Sequence, residues 1–313
     1  MREFFESTQE LAYAPLPPSE AALPTLVAEP WLKVSDDFLQ LEGLCFDRSG
    51  NLYFLEVFGG SIFKLPAGSK TLEVIYVADG LNPAAVKVHN DGRLYVCCLG
   101  DFKEGLIFSI DQNGNDRKDL ISGYVADDLV FARDGSFYFT HFTGSPSDPT
   151  GGVYHVSSDF SCVTSIVERM AGPNGIALSS DERMLWVTET NANRLHLVQL
   201  SSQTQIAPYG TSIPYYFTGF HGPDSCSIDA QDNLYVAMYG QGRVLIFNRF
   251  GFPIGQVLIP GREKGHFLRS THPMMIPGTS DLLICTNDFE SGKGSWIFKS
   301  KGFAQAYKGF QFS

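Results

Sequence analysis

Along the chain, short apolar runs alternate with polar turns in one recurring order: a polar residue, an apolar run, a turn, then a second apolar run. Six segments carry it: EGLCFDRSGNLYFLEV from Glu42, AAVKVHNDGRLYVCCL from Ala84, DDLVFARDGSFYFTHF from Asp127, NGIALSSDERMLWVTE from Asn174, DSCSIDAQDNLYVAMY from Asp224 and HPMMIPGTSDLLICTN from His272. Their starts lie 42, 43, 47, 50 and 48 residues apart. The turns (SGN, NDG, RDG, SDE, QDN, TSD) use Gly, Asn and Asp, which tolerate the backbone angles of tight hairpins. The flanking runs are rich in Val, Ile, Leu, Tyr and Phe, which suit a half-buried pleated surface. No long stretch has a helical period. Several strands per unit of 40–50 residues is the signature of a propeller. The pattern therefore predicts an all-β, six-bladed β-propeller, one domain over residues 1–313. A β-sandwich with coincidental hairpins is disfavoured by six matches in order. Residues 1–40 precede the first copy: a Pro-rich strap at 15–24, then TLVAEPWLKV, a candidate strand to close the last blade.

Composition narrows the partners. Hydrophobic residues make up 43% and charged residues 18%, which supplies a large core and argues against disorder. With 34 acidic and 23 basic residues the net charge is −11, so neither nucleic acid nor a membrane surface is an expected partner. No 18-residue apolar run is present, and the first residues lack the apolar core of a secretory leader. The cysteines (Cys45, Cys97, Cys98, Cys162, Cys226, Cys285) show no C-x-x-C spacing and mostly lie in strand-like runs, so they read as reduced core thiols. The absence of an N-x-S/T sequon agrees, and the expected state is a cytoplasmic monomer.

Aligned repeats put equivalent residues around one axis. The first position reads Glu42, Ala84, Asp127, Asn174, Asp224, His272. Just before the inner strand of a blade, it lies at one mouth of the central tunnel, where three carboxylates and an amide would converge. Like charges so placed repel and force a proton onto one of them unless a cation is shared. Oxygen donors without thiolates suit a hard cation: Ca²⁺, with Mg²⁺ or Mn²⁺ as substitutes. Calcium takes 6–8 oxygens, which leaves room for Ser225 and water. Asx turns before strands are the bland reading of each residue alone, and a purely structural calcium is the bland reading of the set.

LEGLCFD, the Asp127-Asp128 pair, GPNGIALS with LWVTET, GPDSCSID with NLYVAMYGQGRV, STHP and GFAQAYKGFQF together resemble the gluconolactonase/regucalcin-like family of calcium-dependent propeller lactonases. The resemblance covers almost the full length. It implies a metal held by Glu42, Asp127, Asn174, Asp224 and Ser225, with Asp224 in acid–base catalysis of lactone opening. The loops around 101–106 and 119–126, which would hold a second, structural calcium, are short here.

No G-x-S-x-G elbow, P-loop or H-E-x-x-H is present, which leaves serine hydrolase, nucleotide and zincin chemistry without support. His141, Phe142, Tyr239 and His272 are candidate walls of a substrate pocket, with Tyr216 as a further aromatic and His221 as a brace for the GPDS loop. Gly240-Gln241-Gly242 reads as a turn. The expected function is hydrolysis of small-molecule lactones to hydroxy acids. The alternatives are a phosphotriesterase-like hydrolase using the same cage and a non-enzymatic propeller with a structural calcium. Gluconolactonase likeness points to sugar lactones, while the scarcity of basic residues around the motifs points to aromatic or apolar ones.

Overall fold

The computed structural model describes residues 14–219, 221–289 and 292–312. Six sheets follow one another, each built outward from an inner strand. The inner strands are Leu41–Phe46, Pro83–Val88, Ala126–Phe131, Pro173–Leu178, Pro223–Ile228 and Pro273–Met275, in blades 1 to 6. Second strands (Leu52–Glu56, Leu94–Cys98, Phe137–His141, Met184–Glu189, Leu234–Met238, Asp281–Asp288) pair antiparallel with them. Burial falls from the axis outward. Leu41–Phe46 is buried at every position, whereas the outermost strand of the same blade, Glu73–Val77, is mostly exposed. An inner strand is packed on both faces by neighbouring blades, so its sequence loses the in–out alternation of a surface sheet.

The hairpins owe their shape to their polar residues. Asp47 and Asp229, both in a D-x-x-x-N-L-Y sequence, accept the N–H groups of Ser49 and Asn51, and of Gln231 and Asn233. Their second oxygens take the Tyr53 and Tyr235 hydroxyls.

Ring closure splits the N-terminal segment between two blades. Glu29–Ser35 pairs antiparallel with Gly294–Lys301 and completes blade 6, whereas Thr25–Val27 pairs parallel with Pro253–Leu258 as a fifth strand of blade 5. The expectation of one closing strand from TLVAEPWLKV thus becomes two strands. They part at Ala28, which is buried and gives its N–H to the Leu258 carbonyl. The strap before them is pinned by Glu20, which pairs with buried Arg243 at 2.5 Å and accepts the Tyr215 hydroxyl. Residues 1–13, which precede the strap, lie outside the described residues. The cysteines are unbridged; Cys162 is exposed and the rest are buried. Among the described residues no helix is long and apolar enough to cross a membrane.

Candidate functional site

At the upper end of the tunnel the ladder between inner and second strands slips. Pairing skips Gly43 and Leu44, Asp127 and Asp128, Asn174 and Gly175, and Asp224 and Ser225 before resuming. A bulge re-aims side chains that strict alternation would send sideways, and here it falls on Asp127, Asn174 and Asp224 and, in blade 1, on the two residues that follow Glu42. Two glycines make the approach possible. A Cβ on Gly175 would stand 2.6 Å from the Cys226 nitrogen, and one on Gly43, at φ +69°, 2.7 Å from that of Val86. Each position meets the next blade's backbone.

Glu42, Asp127, Asn174 and Asp224 all reach one cavity of about 440 Å³ and are otherwise buried. Ser225 lies beside them, its hydroxyl donating to Asn174 Oδ1 at 3.4 Å. Burial first, then the charges of Asp224, Asp127 and Asp128, holds the Glu42 carboxyl well above the usual carboxylate range. Asp127 is raised by burial and then by Asp224 and Asp128. Burial pushes Asp224 up to about 7, against hydrogen bonds from the Asn174 side chain and the Ser225 N–H. Among the described residues, no group of three His, Cys, Asp or Glu side chains forms a finished metal centre. The donor chemistry nonetheless fits a hard cation: each of two carboxylates is destabilised by the charge of the others, and an amide oxygen stands in the blade between Asp127 and Asp224.

Beneath this floor the tunnel holds a line of charges that the sequence did not suggest. Lys87 Nζ lies 3.0 Å from Asp128 Oδ1 and 3.5 Å from His272 Nε2, and His272 Nδ1 lies 3.5 Å from Glu42 Oε2. Burial opposes the Lys87 charge, but the Asp128 carboxylate outweighs it and keeps the ammonium above its ordinary range. Burial and then Lys87 hold His272 well below its own. His272 is completely buried and lines no wall of the upper cavity, so its expected place in the substrate pocket is corrected. Blade 6 has an inner strand of only 3 residues, and no register slip lifts His272 toward the mouth.

His141 is corrected likewise. Its ring accepts the Val125 N–H at 3.0 Å and packs on Tyr124, away from the cavity. Phe142 and Tyr239 do line the cavity, as does His221, whose ring sits 5.7 Å from Tyr239. Tyr216 is exposed beside Arg194. Gln241, between its two glycines, is buried and holds Arg243. In the loops around 101–106 and 119–126, Asp101 caps the N–H groups of Lys103 and Glu104, and Asp119 pairs with Arg117.

The cavity has two unlike walls. Blades 1 to 3 supply Val57, Phe58, Leu99, Phe102 and Phe142; blades 4 and 5 supply Thr190, Asn191, Asn193 and His221. Phe58 is held by Glu56, whose carboxylate accepts the N–H groups of Phe58 and Gly59. No lysine or arginine lines it.

Comparison with known proteins agrees with this architecture. Residues 41–265 match the model of the SMP-30/Gluconolactonase/LRE-like region. Lactonase drp35 of Staphylococcus saprophyticus is 56% identical over 309 residues, which is 97% of this chain and 95% of that protein. Among solved structures, regucalcin from Agrobacterium tumefaciens superposes with a TM-score of 0.71 at 20% identity, over 91% of this chain and 99% of that one. A gluconolactonase from Xanthomonas campestris superposes with a TM-score of 0.67 at 19% identity, over 92% and 96%. At such identities these structures speak for the fold alone.

Proposed function

The chain belongs to the SMP-30/gluconolactonase/LRE-like family, and from that premise we propose that it is a calcium-dependent lactonase opening small lactones to hydroxy acids. The observation that carries this reading is the upper cavity, which the buried side chains of Glu42, Asp127, Asn174 and Asp224 all line and no lysine or arginine does. Glu42, Asp127, Asn174 and Asp224, with Ser225 alongside, are the residues that would hold the cation; Mg²⁺ or Mn²⁺ are possible substitutes. When bound, it supplies Lewis-acid polarisation of a carbonyl oxygen.

The remaining chemistry belongs to the chain. A water oxygen bonds to the lactone carbonyl carbon while Asp224 takes the water proton. The ring C–O bond then breaks, and the proton passes to the alkoxide it leaves, so one water is consumed and one hydroxy acid formed. In the metal-free chain burial raises the Asp224 carboxyl to about 7. A cation held beside it would lower that value again, and the carboxylate would then take the water proton through its position in the cavity. Glu42 and Asp127 repel the new carboxylate product, which favours its release.

The walls set the preference. A neutral lactone with an apolar or aromatic face fits against Phe58, Phe102 and Phe142, its polar edge toward Asn191, Asn193 and His221. A sugar lactone that carries a phosphate or a free carboxylate finds no lysine or arginine there. The test is a panel of apolar, aromatic and sugar lactones and a phosphotriester, each with and without chelator. Apolar and aromatic lactones should give the highest kcat/KM, and chelator should remove the activity. Undiminished hydrolysis in chelator would overturn the reading.

A further inference from the structure

Each slip in the inner ladder leaves buried backbone groups to satisfy, and in two adjacent blades one residue type does so. Opposite Asp127-Asp128 the second strand sets Thr140; opposite Asn174-Gly175 it sets Thr188. Both are completely buried. The Thr140 hydroxyl accepts the Asp128 N–H at 3.1 Å and donates to the Asn174 carbonyl of the next blade at 2.6 Å. Thr188 repeats this one blade on, accepting from Gly175 N–H at 2.8 Å and donating to the Asp224 carbonyl at 2.7 Å. Between blades 5 and 1, the Thr271 hydroxyl donates to the Leu41 carbonyl at 2.6 Å, and its own carbonyl accepts the Ser225 N–H at 3.1 Å.

A hydroxyl has a single proton to give, so these threonines have none left for a substrate. What they join is specific. Every one of these bonds that crosses a blade boundary ends on a candidate ligand residue or its immediate neighbour. Blades otherwise meet largely through apolar side chains, whose attraction is non-directional, whereas a hydrogen bond fixes distance and angle. Oxygens from four blades must be held to about half an ångström to bind one ion.

We propose that Thr140, Thr188 and Thr271 are positioning residues, a hydroxyl belt that sets the spacing of the Glu42, Asp127, Asn174 and Asp224 oxygens across blade boundaries. The proposal rests on the cation-cage reading above. Thr286 provides an internal control. It is equally buried on the second strand of blade 6, but its hydroxyl bonds the Phe267 carbonyl at 3.0 Å, in a loop that carries no candidate ligand.

The experiment is calcium titration by calorimetry on the full chain, with melting temperature in chelator, for T140V, T188V, T140V/T188V, T188S and T286V. Valine keeps the shape and removes the hydroxyl; serine keeps the hydroxyl. Loss of supporting hydrogen bonds around a metal typically costs 10–100-fold in affinity, so T140V/T188V should bind calcium at least about 10-fold more weakly, and T188S within about threefold of wild type. T286V should melt earlier while its calcium affinity is unchanged. If the double variant does not fold, T188V is read in the same way. Wild-type calcium affinity in T188V and the double variant, or a T188S as weak as T188V, would overturn the proposal alone. A wild-type protein that binds no calcium would sink the cage reading as well.

Discussion

The upper and lower ends of the tunnel are built by the same inner strands and differ in nearly everything else. Above, the ladder slips, and acidic side chains open onto a cavity of about 440 Å³. Below, pairing is regular (Cys45 with Tyr53, Val130 with Tyr138, Leu178 with Leu185), and a smaller cavity of about 130 Å³ is lined by Cys45, Cys226, Met274 and Met275. The C-terminal segment closes that end. Phe310 packs on His89 and Phe131 at 4.9 and 5.4 Å, and the Gln311 carbonyl accepts from Arg48 Nε at 2.7 Å. The contrast teaches where chemistry is placed in a repeated fold. Regular pairing fills the tunnel with apolar side chains and supports stability, while the slips in blades 3, 4 and 5 turn polar residues toward the axis. Lys87 and Asp128 stand at the border between the two regimes.

If the division holds, changes above should alter activity with little effect on stability, and changes below should do the reverse. Asp224→Ala is expected to have the largest effect, lowering kcat/KM by about 10³-fold or more with little change in melting temperature. Turnover that survives in calcium-loaded protein would remove Asp224 from its role. Lys87→Met tests the border. It leaves the buried Asp128 carboxylate unpaired, at a cost of about 3–5 kcal/mol in denaturant unfolding. Lys87→Met with Asp128→Asn should recover most of that loss, and failure to recover would show that Lys87 matters for more than the pair. At the lower end, Phe310→Ala should cost about 3 kcal/mol through lost packing while calcium affinity stays at the wild-type value. A fall in calcium affinity would mean that the two ends are not independent.

The smallest expected effect is on pH dependence. Glu42, Asp127 and Asp224 have raised carboxyl pKa values in the folded chain, so above the ordinary carboxylate range the folded state holds protons that the unfolded state has released, for Asp224 up to about 7. Stability from these groups is therefore complete at low pH and is lost as pH rises through that window. In chelator the melting temperature should fall by a few degrees between about pH 5 and 8, and calcium should flatten or invert the slope. A melting temperature that rises with pH in chelator would mean that the upper carboxylates are not mutually destabilised.

Particular residues show how far the site was legible. Glu42, Asp127, Asn174 and Asp224 stood out because the repeat puts a polar residue at one phase of an otherwise apolar unit, and phase around a closed ring becomes position around an axis. Lys87 was missed because VKV reads as an ordinary alternating strand with its lysine in solvent, whereas both faces of an inner strand are enclosed. The signal was present in Asp128, a second carboxylate beside the first that needed a counter-ion. Thr140 and Thr188 had a signal too: a hydroxyl at corresponding places in FYFTH and LWVTE, inside runs that are otherwise apolar. His272 misled because alignment carries phase but not depth, and the short blade 6 strand leaves that residue lower in the tunnel.

The sequence by itself determined the number of blades, the acidic character of the axis and the residues at the first position of each unit. These follow from periodicity, and periodicity is a local property that survives without knowledge of the fold. Tertiary structure decided the rest: how deep each side chain sits, that Lys87 meets Asp128 and His272 across three blades, that the N-terminal segment divides at Ala28, and that threonines tie one blade's slip to the next. Such contacts join residues distant in sequence, and ring closure sets their distances all at once, so no single segment records them.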